Sequence, residues 1–386
     1  MNMQLKTEDK KIFTIKFKSY DPFIDFEEVK NIWLLLQAQS IHSYFVSWGW
    51  ISTWVNSLPK NLNVRMVVGY INNEPVTAFF IGIARRRNHR FIPTQTASLN
   101  STGNSYYDEL TIEHNSILIN PKYSLNLESI FDYLKLITWD ELKLPGISEG
   151  FWTALQIEKD QKISPFLLVD DIKNSFYVDL QKIRDAKMNY LQMLSANKRN
   201  QVRRSIKQYE LGGAIRVREA ESSEEALTML NELAFLHQRE WTKRGKPGSF
   251  SNKYFYQFHQ EIIQKRFSSK EIQILHIYNE KTTIGFLYNF IYNNNVLFYQ
   301  SGLNYSTENT YRPGIVSHYY AILHNAKKEL TNYDFLAGDS TYKKSLSTNS
   351  QKVYWVRMIK NYNRFKLEKK LLFLKEAIAS VNKKST

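Results

Sequence analysis

Not one cysteine occurs among the 386 residues. Disulfide staples, thiolate metal sites and a cysteine nucleophile are excluded together, and a reducing cytoplasm is the compartment this composition fits. Proline is sparse at nine and glycine at fourteen, too few for a collagen-like chain or a proline-rich linker. No G-x-G-x-x-G loop is present, so the dinucleotide fingerprint is missing. The eight histidines show neither H-E-x-x-H nor H-x-x-x-H spacing, and no metal is expected. No apolar run reaches the ~20 residues of a membrane span. Residues 31–58 lack charge but are diluted by Gln, Asn and Ser. The opening MNMQLKTEDKK has no apolar stretch behind it, so no secretory leader is expected. Acids are outnumbered, 37 to 52, which gives a formal charge of +15. That imbalance points to an anionic partner: a nucleotide, a tRNA or an acidic membrane face.

What is present reads as a folded protein. Hydrophobic residues make up 43% and aromatics 14%, enough for packed cores, and the length allows two domains. Asp25 and Glu28 are spaced as a capping box for a helix over 26–39. Trp33, Trp48, Trp50 and Trp54 follow closely and read as core. Residues 64–84 read as a hairpin, and 272–278 with 283–292 repeat that layout. A third apolar run and a polar loop follow each copy, at 91–104 and 296–309. An echo about two hundred residues apart predicts duplicated domains. The basic knot Arg85-Arg86-Arg87 with His89 and Arg90 reads as a solvated turn or a phosphate contact. Tyr106, Tyr107, Asp108 and Glu109 form a polar-aromatic cluster that is a candidate lining for an acceptor cleft.

Gly146-Ile147-Ser148-Glu149-Gly150 matches the G-x-S-x-G elbow of serine hydrolases, which needs a strand, a sharp turn and then a helix. The upstream segment reads as helical and 151–157 as strand-like, the reverse order. The domain boundary is expected at 160–172, where the chain is charged and broken by Pro165. A strand over 175–180 follows, and then a basic helix from Ser195. That helix carries Arg199, Arg203, Arg204 and Lys207 outside and Leu194, Val202, Ile206 and Tyr209 inside. Ser222 and Glu225 cap the next helix, which runs to Gly245 with His237 and Trp241 on its apolar line.

Residues 298–343 organise the chain. They read as a strand, a polar loop, Pro313-Gly314 opening an amphipathic helix, and a strand over 333–336. A loop rich in reactive groups closes the stretch. The helix stripe is Val316, Tyr319, Tyr320, Leu323, Ala326 and Leu330, with Lys327 and Lys328 at the end the dipole favours. A helix that opens at a small residue after a strand offers unpaired N–H groups, a ready phosphate site.

The pattern of Pro313-Gly314, Phe335, Gly338-Asp339 and Tyr342-Lys343 resembles the CelD/BcsL-type acyltransferases linked to cellulose and exopolysaccharide synthesis. These belong to the GNAT acyl-CoA transferase superfamily and are related to the FemAB peptidoglycan aminoacyltransferases. Asn197 to Tyr209 and His237 to Gly245, with Gly248 and Phe250, resemble two helices of that family. The resemblance implies an α/β protein of tandem GNAT-like domains, each a mixed, mostly antiparallel sheet flanked by helices. The expected division is 1–170 (acceptor or structural), 171–365 (acyltransferase) and 366–386 (a basic helix or tail). Within the six positions Tyr311 to Val316, the GNAT phosphate motif [QR]-x-x-G-x-[GA] is met at Gly314 alone. The tryptophan the family carries after Tyr-Lys is also missing.

Acyl transfer then assigns roles. Gln300, Ser301, Gly302 and Leu303 form the strand that receives the oxyanion and donor. Arg312, Gly314, Ile315 and Val316 are placed for the pyrophosphate of acetyl-CoA or another acyl-CoA. Asp339 and Tyr342 are candidates for general base and acid, Lys343 for an oxyanion or phosphate partner, and His318 is the reserve. His237, Arg239, Trp241, Tyr107 and Asp108 are the acceptor candidates. The acceptor is expected to be a sugar or lipid-linked precursor of the cell envelope, handled at the cytoplasmic membrane face. A FemAB-like reaction drawing on aminoacyl-tRNA, and a silent GNAT scaffold, are the other readings.

Overall fold

The computed structural model describes residues 3–6, 12–86, 93–123, 127–159, 166–308 and 310–361, with scattered positions as far as 373. The chain folds into two compact units, Met1–Ile172 with Val353–Thr386, and Lys173–Lys352. The expected tail over 366–386 lies mostly outside the described residues, as do Arg87 to Arg90 of the basic knot.

The first unit begins with β1 (Met3–Lys6), β2 (Ile12–Tyr20), α1 (Phe26–Gln37) and α2 (Trp48–Ser57). The hairpin β3 (Val64–Ile71) and β4 (Glu74–Arg86) follows, then β5 (Thr94–Leu99) and the short β6 (Leu118–Ile119). α3 (Leu127–Leu136), β7 (Glu141–Ser148) and α4 (Glu149–Lys159) complete this stretch. α1 buries Val29, Trp33 and Leu36, one stripe at helical spacing. Trp33, Trp50 and Trp54 are all buried, and Trp33 Nε1 donates to the Val46 carbonyl at 3.0 Å. The expected capping box does not form: the Asp25 carboxylate accepts the Asp21 N–H instead of a helix amide. A tight turn before the helix competes for that side chain.

In this unit β5 and β7 run parallel and pair over Thr96–Ser98 and Glu141–Lys143. Beyond Ser98 the gap between them is bridged by Asn115. Its N–H donates to the Gly146 carbonyl (2.8 Å), and its carbonyl accepts the Ser148 N–H (3.1 Å). Its side chain donates to the Pro145 and Leu99 carbonyls (2.9 and 3.3 Å) and accepts from Asn100 Nδ2 (2.8 Å). Gly146, at φ +59°, must lack a side chain, because a Cβ there would collide with the Ile112 carbonyl. The order around Ser148 is therefore strand then helix, the opposite of the sequence reading. A hydrolase elbow is still not formed: the left-handed residue is Gly146, and Ser148 Oγ accepts the Phe151 N–H as a cap.

The second unit takes the end of β8 (Phe166–Asp179), then α5 (Leu180–Asp185), α6 (Tyr190–Met193), α7 (Ala196–Glu210) and β9 (Arg216–Glu219). α8 (Ser223–Lys243), α9 (Lys253–Arg266), β10 (Ile272–Tyr278), β11 (Thr283–Tyr292) and β12 (Asn295–Leu303) come next. α10 (Pro313–Lys327), β13 (Asn332–Ala337) and α11 (Thr341–Leu346) close it. β14 (Asn349–Ile359) pairs with β7 from Val353 on, so the chain returns to the first unit. The sequence reading carried the second domain to 365. Strand order in the second unit is β8-β13-β12-β11-β10-β9, antiparallel except for β12 with β13.

Local chemistry fixes its helices. Ser195 Oγ accepts the Lys198 N–H and Ser222 Oγ the Glu225 N–H, at 3.3 and 3.1 Å. α8 stops at Gly245 (φ +67°), where the Lys246 and Gly245 amides fold back onto the Trp241 and Thr242 carbonyls. α10 is enclosed on two sides. Val316, His318, Ala321, Ile322 and Ala326 are buried, whereas Tyr319, Tyr320 and Leu323 of the expected stripe are half-buried. Tyr319 stacks instead on Tyr190 of α6, centroids 5.9 Å apart. No helix among the described residues is long and apolar enough to cross a membrane.

Candidate active site

β12 and β13 pair only over Asn295–Leu297 and Asn332–Asp334, and from there they part. The other edge of β12 stays on β11, and its alternation sets which backbone groups face the gap. Asn304 donates its N–H to the Ile284 carbonyl (3.0 Å), so Leu303 and Ser301 turn their groups away from β11. Contacts at Ser301 agree. Its N–H points at Gln300 Oε1 (3.3 Å), and its carbonyl accepts His237 Nδ1 (3.2 Å). The Leu303 N–H is left directed at the gap.

α10 opens against the same residue: a Cβ on Gly314 would stand 3.2 Å from a Leu303 methyl. Pro313 has no N–H, and among the described residues no acceptor stands against the amides of Gly314 and Ile315. The Val316 amide is not free, because it donates to the Arg312 carbonyl at 3.1 Å, and its side chain is fully buried. Of the three amides expected to hold phosphate, two remain. Cations flank this mouth. Lys198 of α7 lies close enough to Arg312 that, after burial, the guanidinium helps hold its pKa below the ordinary lysine value. α7 is tied there because Ser205 Oγ donates to the Thr310 carbonyl (2.7 Å) and Gln208 Nε2 to the Tyr311 hydroxyl (3.1 Å). Lys198 was not singled out in the sequence; only its place in a basic helix hinted at it.

The reactive side chains gather farther along α10 and on α11. His318 is buried, with Nδ1 3.0 Å from the Tyr333 hydroxyl and its ring edge-on to Phe298 and Phe335. Burial first, and the Lys343 charge second, push its pKa down to about 3, so it is neutral at pH 7. Tyr342 stacks on it at 5.4 Å, and burial raises that phenol's pKa. Lys343 is buried too, and its ammonium donates to the Leu336 and Ala337 carbonyls. Asp339 is exposed and its carboxylate accepts from Asn174 Nδ2 and N, at 2.8 and 3.3 Å. The structure thus gathers His318, Tyr342 and Lys343, and turns Asp339 outward.

α8 covers the opposite face of β12. Gly302 packs so tightly under it that a Cβ would collide with the Leu233 backbone. His237 is held at both ring nitrogens, since the Ser249 N–H approaches Nε2 at 3.4 Å while Nδ1 serves Ser301. Burial lowers its pKa. Gln300 Nε2 donates to Ser249 Oγ (3.3 Å), and Arg239 Nη2 to Asn304 Oδ1 (2.8 Å). Trp241 lies beside His237 with Lys246 over its ring. Phe250 meets His237 edge-on at 5.2 Å and lines a groove of about 660 Å³ along α8 with Phe235, Arg239, Lys243 and Tyr256. Tyr107 and Asp108 belong to the first unit, where the Asp108 carboxylate accepts from the Thr102 N–H and hydroxyl at 2.7 Å each. Among the described residues, no cluster of three or more His, Asp or Glu could hold a metal ion.

Residues 196–344 match the family described as an acetyltransferase (GNAT) domain. A comparison with curated proteins finds no match. Among solved structures, FemX is similar over 88% of this chain and 97% of its own, with TM-score 0.56 and 11% identity. A conserved protein of unknown function from Bacteroides thetaiotaomicron is similar over 89% of this chain and its whole length, with TM-score 0.51 and 9% identity. The C-terminal domain named for a lysylphosphatidylglycerol synthetase of Agrobacterium fabrum covers 90% of this chain and 96% of its own, with TM-score 0.50 and 9% identity. At such identities the likeness is one of fold. CelD/BcsL-type proteins are not among these three structures. Residues 196–344, most of the second unit, thus match an acetyltransferase (GNAT) domain, within a chain whose fold resembles that of FemX over most of its length.

Proposed function

We propose that the protein moves an acyl group from acyl-CoA to an amine or hydroxyl on a cell-envelope or exopolysaccharide sugar or its precursor, with the chemistry in the second unit. One observation carries this reading: the free amides of Gly314 and Ile315 and the Leu303 N–H converge on the parting of β12 and β13. In the reaction the nucleophile adds to the thioester carbonyl, the oxyanion takes the Leu303 N–H, and the thiolate leaves on collapse. The helix mouth, with Lys198 and Arg312, receives the donor's pyrophosphate. Tyr342, kept protonated by burial, is placed to protonate the leaving thiolate, and the proton the acceptor loses on attack passes to solvent; His318 is a weak base there, because burial depresses its pKa and Nδ1 is already bonded to Tyr333. The first unit serves the acceptor or the scaffold, and the enzyme works at the cytoplasmic face of the membrane.

One feature favours a second reading, FemAB-like transfer from aminoacyl-tRNA. Arg203, Arg204 and Lys207 form an exposed row on α7, a face suited to a phosphate backbone. Calorimetry with acetyl-CoA and longer acyl-CoAs separates the two. Micromolar binding of any of them supports the first. Silence with all, together with salt-sensitive retention of tRNA on filters, moves the assignment to the second. Silence in both assays leaves an inactive scaffold.

A further inference from the structure

The gap exists because β13 turns away from β12, and the turn is made at one residue. Leu336 has φ +58°, a left-handed backbone that a bulky side chain adopts only when its surroundings impose it. Two buried charged groups do so. Asp334, 6% exposed, accepts the Leu336 N–H (2.8 Å) and the Ser175 hydroxyl (2.7 Å) on one carboxylate oxygen. Lys343, 9% exposed, donates from Nζ to the Leu336 carbonyl (3.1 Å) and the Ala337 carbonyl (3.0 Å). The β13–β8 register breaks between Asp334 and Ala337, and the β12–β13 ladder stops at Leu297 and Asp334. Kink, register break and parting therefore coincide.

We propose that Asp334 and Lys343 clamp Leu336 in its left-handed turn and so hold β13 away from β12. Lys343 is then a positioning residue for the gap, not a group that reaches the reacting atoms. A buried ammonium must find acceptors, and the kink supplies two carbonyls that a straight strand would aim elsewhere. A straight β13 would carry its ladder onward along β12, toward the edge where Leu303 offers its N–H. The inference takes from the proposed function only that the gap admits the donor.

Glycine adopts this backbone without constraint, which gives a test in the full chain. Lys343→Met, Leu336→Gly and their combination are compared by coenzyme A calorimetry and by hydrogen exchange of the residue-336 amide. K343M is expected to weaken coenzyme A binding about tenfold or more and to speed exchange. L336G stays within about twofold of the parent, and adding it to K343M restores binding to within about threefold. Unchanged binding in K343M, or no recovery on adding L336G, overturns the clamp. If the parent chain takes up no coenzyme A, the donor reading falls while exchange still decides the clamp. Faster exchange in K343M, slowed again in the double variant, supports it; an unaltered rate sinks it. Should K343M not fold, Asp334→Asn with and without L336G is put through the same two measurements.

Discussion

Each unit contains a parallel pair of strands that part after three paired residues, and the two partings are treated in opposite ways. Between β5 and β7 the chain inserts its own Asn115, which meets the neighbouring carbonyls and amides with both backbone and side chain. Between β12 and β13 no such main-chain residue intervenes among the described residues, and three N–H groups stay uncommitted. One topology thus yields a parting satisfied from within and another able to accept charge from outside. Buried backbone groups must be paired; where the protein does not pair them, a ligand can.

The sharpest way to separate the units is acid. His259, His276 and His318 all lie in the second unit, and burial holds them at about 3, about 4 and about 3. Each binds its proton more readily when unfolded. Their contribution is therefore complete above pH 6.5 and is lost as pH falls from there toward 3. Calorimetric melts between pH 7.5 and 4.5 should show the second unit's transition falling well ahead of the first. Coincident decline would remove the distinction.

Next in size is Ile315→Pro. Proline is tolerated in the first turn of a helix and deletes one free amide. Acyl-CoA affinity should drop about tenfold to a hundredfold, the range for a hydrogen bond to a charged group, alongside a fall in melting temperature from the loss of the buried Ile315 side chain. Asn115→Ala is the counterpart in the first unit. It should cost about 1–3 kcal/mol in denaturant unfolding and leave donor binding, at one equivalent per chain, untouched. A second equivalent in the parent protein would mean that the first parting is open after all. Smallest is Lys198→Met, expected to weaken acyl-CoA binding about threefold at low salt, as a screened surface charge does. Loss of that difference at about 0.5 M salt would place Lys198 near the phosphates without direct contact.

Much of this architecture is legible in the residues. The hairpins at 64–84 and 272–292 follow from β-rich runs broken by polar turns. Ser195 and Ser222 announce their helices by side-chain chemistry that acts within four residues. The helix mouth at Gly314 was visible for the same reason. What could not be read depends on partners far along the chain. Nothing local marks Asn115 as the residue that closes a parting, since the groups it meets lie at Leu99 and Pro145. Gly338-Asp339 looks like a reactive loop until Asn174, 165 residues away, takes the carboxylate. The element order around Ser148 is not legible locally because Pro145-Gly146 interrupts the alternation of 141–144, and the segment becomes one strand beside β5 and β14.

Gly302 has a mechanical consequence. With Leu233 of α8 resting directly on its backbone, no compressible side chain separates helix from strand. A displacement of α8 toward the sheet would meet the β12 backbone directly at this point. The Phe250–His237–Ser301 row offers a parallel route from the groove. A ligand seated along the outer side of α8 would therefore press on a helix that rests directly on the strand ending at Leu303.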